Sequence, residues 1–298
     1  LNYEKNNDPI ILVYQYFKHS DTTRHREIKN CLIRNVNNSF ISRIILLNER
    51  EYTNDELGVD SSKVEQIIVG NRLYFSDIFD YVEKLSLKGY IITSNADIFF
   101  DETIENVKST NMHKEKKMYA QLRFEYINKN LKKCKLFGPR SDSQDTWIFH
   151  SNFNIGKSYR KIFKIHFGMP GCDNKLTYLF YLMDFNVLND PYFIKTYHYH
   201  RTEIRNYEDK PPLLRPYMFV IPYLNPRNNE EMHPMDIYCK PYGLTYQEYY
   251  ENERYFFEYN DMNYLINLVK NDIFNIGLLN IHYMNMAFIL NELLKNKK

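Results

Sequence analysis

Residues 91–97 read Ile91-Ile92-Thr93-Ser94-Asn95-Ala96-Asp97 (IITSNAD), and they end on an acid where a buried strand would ordinarily end on something inert. The chain turns apolar again at Ile98-Phe99-Phe100 and meets a second acid at Asp101. In an open α/β sheet, ligands sit in the crevice beyond the carboxyl ends of the strands. Asp97 is therefore a candidate functional residue if its neighbours in sequence supply such a sheet.

Upstream they do. Ile10-Ile11-Leu12-Val13-Tyr14 is a continuous apolar run of the kind buried on both faces of a parallel sheet. Residues 22–36 follow with Ile28, Leu32 and Ile33 at helical spacing among charges. Residues 41–47 and 64–69 repeat the strand pattern, residues 76–87 form a helix with Ile78, Phe79, Val82 and Leu85 on one side, and residues 90–93 are a fourth strand. This alternation predicts a right-handed, mostly parallel α/β sheet flanked by helices.

After Thr110 the pattern loosens. Short strands are expected at 118–124 and 146–149, separated by a Lys-rich, turn-rich stretch, then a helix at 173–183 and a strand at 192–199. Pro211, Pro212, Pro216, Pro222 and Pro226 exclude a regular helix over 210–229 and predict an extended wrap over the surface. The remainder reads as mainly helical: Met262, Leu265, Ile266 and Val269 form one stripe, and residues 276–294 are apolar around much of their circumference. Residues 1–225 are thus expected to form the α/β domain and residues 226–298 a helical extension packing on it. The same helices could instead seat an oligomer partner or a membrane surface.

Composition narrows the classes. The 298 residues, 44% hydrophobic, suffice for one large domain or a domain with an appendage. With 39 basic and 37 acidic residues the net charge of +2 gives no strong pull towards nucleic acid. Tyr and Phe are abundant, at 27 and 20, a bias that an AT-rich coding sequence also produces. Cys31, Cys134, Cys172 and Cys239 are far apart, so neither a zinc site nor a disulfide framework is indicated, and a reducing, cytoplasmic location is the simpler expectation. No apolar run approaches the ~20 residues needed to cross a bilayer. A chain opening at Leu1 leaves room for a segment upstream. With nine Gly, neither G-x-G-x-x-G nor G-x-x-x-x-G-K-[ST] occurs, and H-E-x-x-H and G-x-S-x-G are missing too.

Three segments carry candidate chemistry. At the strand tip, Asp97 is placed either to hold a divalent cation such as Mg²⁺ or Mn²⁺ or to cap the helix that begins at Asp101-Glu102-Thr103-Ile104. In Phe167-Gly168-Met169-Pro170-Gly171-Cys172-Asp173-Asn174, two Gly and a Pro make a sharp loop, and Asp173 opens a helix. Asp173 is either a cap or a general base. In Thr196-Tyr197-His198-Tyr199-His200, period-two alternation puts His198 and His200 on one face, where they form a second grip on a metal, a diphosphate contact if protonated, or a structural pair.

Taken in this order, the strand-end Asn-x-Asp, the later Gly-x-x-Gly-x-Asp at a helix start, Asp184-Phe185-Asn186-Val187 and the terminal His resemble nucleotide-sugar-dependent glycosyltransferases of the GT-A fold. The likeness is greatest to glycosyltransferase-like proteins of large DNA viruses and some bacteria, and spans residues 10–207. It implies that Asp97 matches the last acid of a D-x-D motif with Asn95 in the place of the first. It also implies that Asp173 matches the acid of an x-E-D motif in which Cys172 replaces Glu, and that His198 or His200 is the metal-binding His. Tyr16, Glu49 and Arg72 would then line the donor site with Asn95 and Asp97, Asn95 helping the metal or contacting ribose, and Arg72 pairing with phosphate unless it is a solvated surface charge. Arg123, Asp145, Trp147 and Asn174 would meet the sugar or acceptor, Trp147 as a stacking platform unless it is a core residue.

The implied reaction is inverting transfer from a nucleoside-diphosphate sugar, expected to be a UDP-sugar, to a hydroxyl of a glycan or glycoprotein. Mn²⁺ or Mg²⁺ on Asp97 and His would stabilise the leaving diphosphate, and Asp173 would act as base. A sugar-nucleotide pyrophosphorylase is the rival enzyme, disfavoured because the loop Tyr16-Phe17-Lys18-His19-Ser20-Asp21 lacks Gly. A non-catalytic glycan-binding or scaffolding domain is the rival from another class, kept open by Asn95 and Cys172.

Overall fold

The computed structural model describes residues 6–127, 130–138, 140–202, 204 and 212–223, together with the backbone of 255–258. Four strands open the chain in the expected order: β1 (Ile10–Tyr14), β2 (Ile41–Asn48), β3 (Val64–Ile68) and β4 (Tyr90–Ser94). Between them run α1 (Thr22–Asn37), a single turn α2 (Asn54–Leu57) and α3 (Phe75–Lys84). Asp21 starts α1 by accepting the Arg24 amide at 2.8 Å, one of the donors a helix start leaves unsatisfied. The turn α2, which hydrophobic spacing does not announce, is closed by a Thr53/Glu56 capping box and ended by Gly58 at φ 73°.

The chain continues through β5 (Ile98–Phe100), β6 (Lys117–Gln121), β7 (Phe124–Glu125), β8 (Lys135–Leu136), β9 (Thr146–His150), α4 (Cys172–Leu182), β10 (Asn186–Leu188), β11 (Thr196–His198), β12 (Tyr217–Val220) and β13 (Tyr255–Glu258). Seven strands form the main sheet in the order β10-β6-β9-β4-β1-β2-β3. Four neighbouring pairs are parallel, and β9 alone runs antiparallel to both of its neighbours, β4 and β6. The fold is mixed α/β, with a mostly parallel central sheet flanked by helices.

Side-chain alternation splits the sheet into two apolar faces. Ile10, Leu12, Ile44, Leu46, Ile92 and Ile148 pack towards α1, which presents Ile28 and Leu32. Val13, Ile45, Leu47, Ile91 and Phe149 pack on the other side against Ile78 and Phe79 of α3 and Leu176 and Phe180 of α4. Each aliphatic side chain so buried stabilises the fold by roughly 1.5–3 kcal/mol.

Three expectations need correction. The single strand foreseen at 118–124 is two, because the chain leaves the main sheet after Gln121 and re-pairs at β7 in a second sheet of order β5-β11-β7-β8. The strand foreseen at 192–199 narrows to β11, since Phe193 and Ile194 fold back onto the carbonyl of Asp190. Of the Pro-rich segment only residues 212–223 are described; they include the strand β12 and are not a surface wrap, since Met218 and Val220 are fully buried over α4. Of the foreseen helical extension, the described part is the strand β13, antiparallel to β12. The stripe at 262–269 and the helix at 276–294, and any oligomer contact through them, lie outside the described residues. Among the described residues, no helix is long and apolar enough to cross a membrane.

Candidate functional site

The polypeptide leaves β4 with the Asn95 amide on the Asp145 carbonyl at 3.0 Å, turns, and enters β5 with the Ile98 amide on the Asn95 carbonyl at 3.2 Å. Asp97 occupies this turn. Its carbonyl accepts the Tyr199 amide at 2.8 Å, which ties it to the end of β11. From α1, Asn35 donates to the Ile98 carbonyl at 3.0 Å and accepts from the Phe100 amide at 3.1 Å, fixing β5 in place. The helix that follows β5 is capped by Asp101, which accepts the Thr103 amide at 3.0 Å. Asp97 is thereby released from any capping role.

Asp97 is buried beside His198, and Oδ2 faces His198 Nε2 at 3.0 Å and His200 Nδ1 at 3.7 Å. Oδ1 is equally buried and has no hydrogen-bond partner among the described residues. One ligand atom from each of Asp97, His198 and His200 lies within 4.8 Å of the other two. The far nitrogen of each ring is also held: His198 Nδ1 lies 3.2 Å from Glu125 Oε2, and His200 Nε2 lies 3.0 Å from the Ile204 carbonyl. Metal-ligating histidines typically hand their second ring nitrogen to a carboxylate or carbonyl in this way, which sets the tautomer and aims the lone pair. The residues present therefore fit a divalent cation. Two imidazoles and one carboxylate favour Mn²⁺ over Mg²⁺, whose usual ligands are oxygens.

The electrostatics are tightly balanced. Arg24, from the first turn of α1, donates to Asp97 Oδ2 and also to Glu27 Oε2 at 2.9 Å. Burial raises the pKa of Asp97, but His198 and Arg24 outweigh it and hold the carboxyl well below its usual range. Burial alone lowers His198, yet Asp97 and Glu125 lift it to about 9. Without a cation, then, the ring is protonated at neutral pH and must lose its proton to become a ligand. Burial, with Arg24 second, lowers His200 below the usual imidazole range.

The charge network continues away from Asp97. Arg123 Nε donates to Glu125 Oε1 at 2.9 Å, and Nη1 donates to Asp145 Oδ2. Asn95 Nδ2 donates to Asp145 Oδ1 at 2.7 Å. In the first turn of α4, Asp173 accepts its neighbour's amide, Asn174 N, at 2.9 Å and Gln144 N at 3.4 Å. Burial pushes its carboxyl up to about 7, with the Asp145 charge contributing. A carboxyl titrating there can accept a proton at neutral pH.

Of the residues expected to line a donor site, Glu49 lines a cleft, and Tyr16 and Arg72 are held by other partners. A cleft of ≈ 490 Å³ is lined by Lys18, His19, Ser20, Glu49, Arg50 and Tyr52, at the carboxyl ends of β1 and β2. Glu49 is one of these lining residues. Tyr16 is not: it is fully buried, its hydroxyl donates to the Glu56 carbonyl at 2.7 Å, and it supports the cleft by packing edge-on against Tyr52. Arg72 donates to the Phe167 carbonyl and braces the Gly168 loop, whose φ of 66° suits glycine.

Other expectations fail for a physical reason. Trp147 is 1% exposed and packs edge-on against the stacked rings of Phe75 and Phe167, so it is a core residue and not a sugar platform. Arg123 is buried with its donors committed to Glu125, Asp145 and Ser143, and Asp145 is committed in return, so both position neighbours. Asn95 serves Asp145 in the same way. Asn174 is buried and donates to the Asp142 carbonyl at 3.4 Å, with its Oδ1 unpartnered among the described residues. Sequence reasoning missed Arg24, Glu27 and Glu125. The i,i+3 charge pair in α1 and the x-Arg-x-Glu alternation at 123–125 were visible, but such pairs usually mark solvated faces.

No protein-family profile matches the chain, and no curated protein matches it. Solved structures with a similar shape include a mannosyltransferase from Pyrobaculum calidifontis in complex with GDP-Man and Mn²⁺, 6% identical over 67% of this chain and 60% of that one, with a TM-score of 0.43. GalNAc-T7 with UDP, GalNAc and Mn²⁺ is 10% identical over 88% and 54%, with a TM-score of 0.45. A cytidylyltransferase from Leptospira borgpetersenii is 12% identical over 70% and 81%, with a TM-score of 0.40. The chain spans 60% and 54% of the first two proteins' lengths. With each of these TM-scores below 0.5, what this chain does rests on its own side chains.

Proposed function

We propose that the chain is a metal-assisted glycosyltransferase that moves a sugar from a nucleoside-diphosphate sugar to a hydroxyl of a glycan or glycoprotein, with inversion. The observation that supports it above the others is the convergence of Asp97, His198 and His200 on one point at the carboxyl end of β4, with Asp97 Oδ1 buried and unpartnered. Bound there, Mn²⁺ would supply positive charge for a leaving diphosphate. Asp97, His198 and His200 would hold it, with Glu125 keeping His198 aimed.

The cleft at the ends of β1 and β2 would seat the nucleoside. It opens three residues before Asp21, the cap of the helix that carries Arg24, so a base held beside Tyr52 would lead its phosphates towards Asp97. Asp173 would accept the proton of the attacking hydroxyl at its carboxylate, which a pKa of about 7 leaves half-ionised near neutrality. Cys31 and Cys172 are buried free thiols, in keeping with a cytoplasmic setting.

The test is release of nucleoside diphosphate from a panel of nucleotide sugars with and without Mn²⁺. We expect Mn²⁺-dependent release from at least one donor, reduced at least 100-fold in Asp97→Asn and Asp173→Asn proteins of native circular dichroism. Pyrophosphate release from a nucleoside triphosphate and a sugar phosphate would assign a nucleotidyltransferase instead. A product retaining the donor's anomeric configuration would remove Asp173 from the role of base.

A further inference from the structure

We propose that Arg24 is a built-in competitor for the cation site: its guanidinium holds Asp97 until a divalent ion displaces it, and so sets how tightly that ion binds. This inference rests on the metal reading above and deepens it.

Arg24 Nη2 donates to Asp97 Oδ2, the same oxygen towards which His198 Nε2 and His200 Nδ1 point at 3.0 and 3.7 Å. With that oxygen occupied, only Oδ1 of the carboxylate is left to an incoming ion. A doubly charged ion bound between Asp97 and the histidines would also lie next to the guanidinium, and like charges in a site this buried repel strongly. Arg24 also has somewhere else to stay. Its Nη1 already donates to Glu27 Oε2 at 2.9 Å and to the Tyr199 carbonyl at 3.2 Å, and Glu27 is 3% exposed. Releasing Asp97 therefore leaves the guanidinium paired.

The exchange would be felt immediately beyond His200. Glu27 Oε1 accepts the Arg201 amide at 2.8 Å, and Oε2 lies 3.5 Å from Thr202 Oγ1. Arg24 and Glu27 thus span the same short segment that presents His200. A purely structural salt bridge would be expected to satisfy its acid. Here the acid keeps one buried oxygen without a partner while sharing the other among three nitrogen-bearing side chains.

Mn²⁺ binding measured by electron paramagnetic resonance and calorimetry separates this inference from the reading beneath it. Arg24→Gln is expected to bind Mn²⁺ at least tenfold more tightly than the natural protein, and to show a larger Mn²⁺-induced rise in Tm. His200→Ala is expected to bind at least tenfold more weakly. Arg24→Gln leaves Glu27 buried and uncompensated, so Arg24→Gln/Glu27→Gln provides a charge-balanced version with the same expected gain. Arg24→Lys, which keeps a cation too short to bridge both acids, should fall between. If His200→Ala weakens Mn²⁺ binding but none of the Arg24 variants tightens it, the competitor role is overturned and the metal site stands. If His200→Ala and Asp97→Asn bind Mn²⁺ as the natural protein does, the metal site itself is wrong.

Discussion

The two oxygens of Asp97 live differently: Oδ2 is crowded by Arg24, His198 and His200, while Oδ1 is buried with no partner. A buried carboxylate oxygen without a partner is costly, and this is the feature of Asp97 on which the proposed cation site rests. Asp173 presents the opposite case, a carboxyl whose ionisation is disfavoured by burial. Because its pKa is raised from 3.8 to about 7, the folded state favours the protonated form. Its stabilising contribution is complete below pH 3.8 and is lost as pH rises through about 7. Asp173→Asn should then have little effect on Tm near pH 4 and raise it at pH 8. The activity of the natural protein should climb with pH to a plateau above about 7. An Asp173→Asn shift in Tm that is equal at both pH values would contradict this account.

At the scale of elements, the site is an alternating run of charge laid across strand ends. Asp97 follows β4, His198 closes β11, Glu125 closes β7, Arg123 sits in the crossover between the two sheets, and Asp145 precedes β9. The break after Gln121 is what allows Arg123 to lie between Glu125 and Asp145. The start of α4 is set by Gly171, at φ 74°, where a Cβ would lie 2.4 Å from the Tyr217 hydroxyl of β12. Gly171→Ala should therefore destabilise the protein by more than about 1 kcal/mol, from the left-handed backbone and the clash together. It should also lower turnover by shifting Asp173. A thermal melt and a rate measurement on the same preparation check both, and an unchanged Tm would show that β12 does not constrain this turn.

Across the described residues, the polar side chains of the candidate site gather beyond the carboxyl end of the central strand β4, where the second sheet and the start of α1 meet it, while the faces of the main sheet are given over to packing. Trp147 belongs to a face: it lies among Phe75, Phe167 and the α3–α4 layer. Trp147→Phe should cost roughly 1–3 kcal/mol of stability through lost contacts and leave the KM for the donor unchanged. A normal Tm with a raised donor KM would return Trp147 to the binding site.

The sequence by itself determined the α/β alternation, because a strand buried on both faces must be apolar throughout and its covering helix must repeat every three to four residues. It likewise put Asp97 at a strand tip and His198 and His200 on one face, since these are local properties, whereas their meeting across 101 positions is the work of the fold. Only the tertiary structure decided which polar residues are free to meet a ligand. Tyr16, Arg123 and Trp147 have the right chemistry for contact but are spent on Glu56, Asp145 and Phe75, each brought in by the fold. Arg24 reaches Asp97 across 73 positions of sequence. Spacing along a chain fixes which face a side chain takes, whereas burial and pairing depend on what the rest of the fold brings to that face.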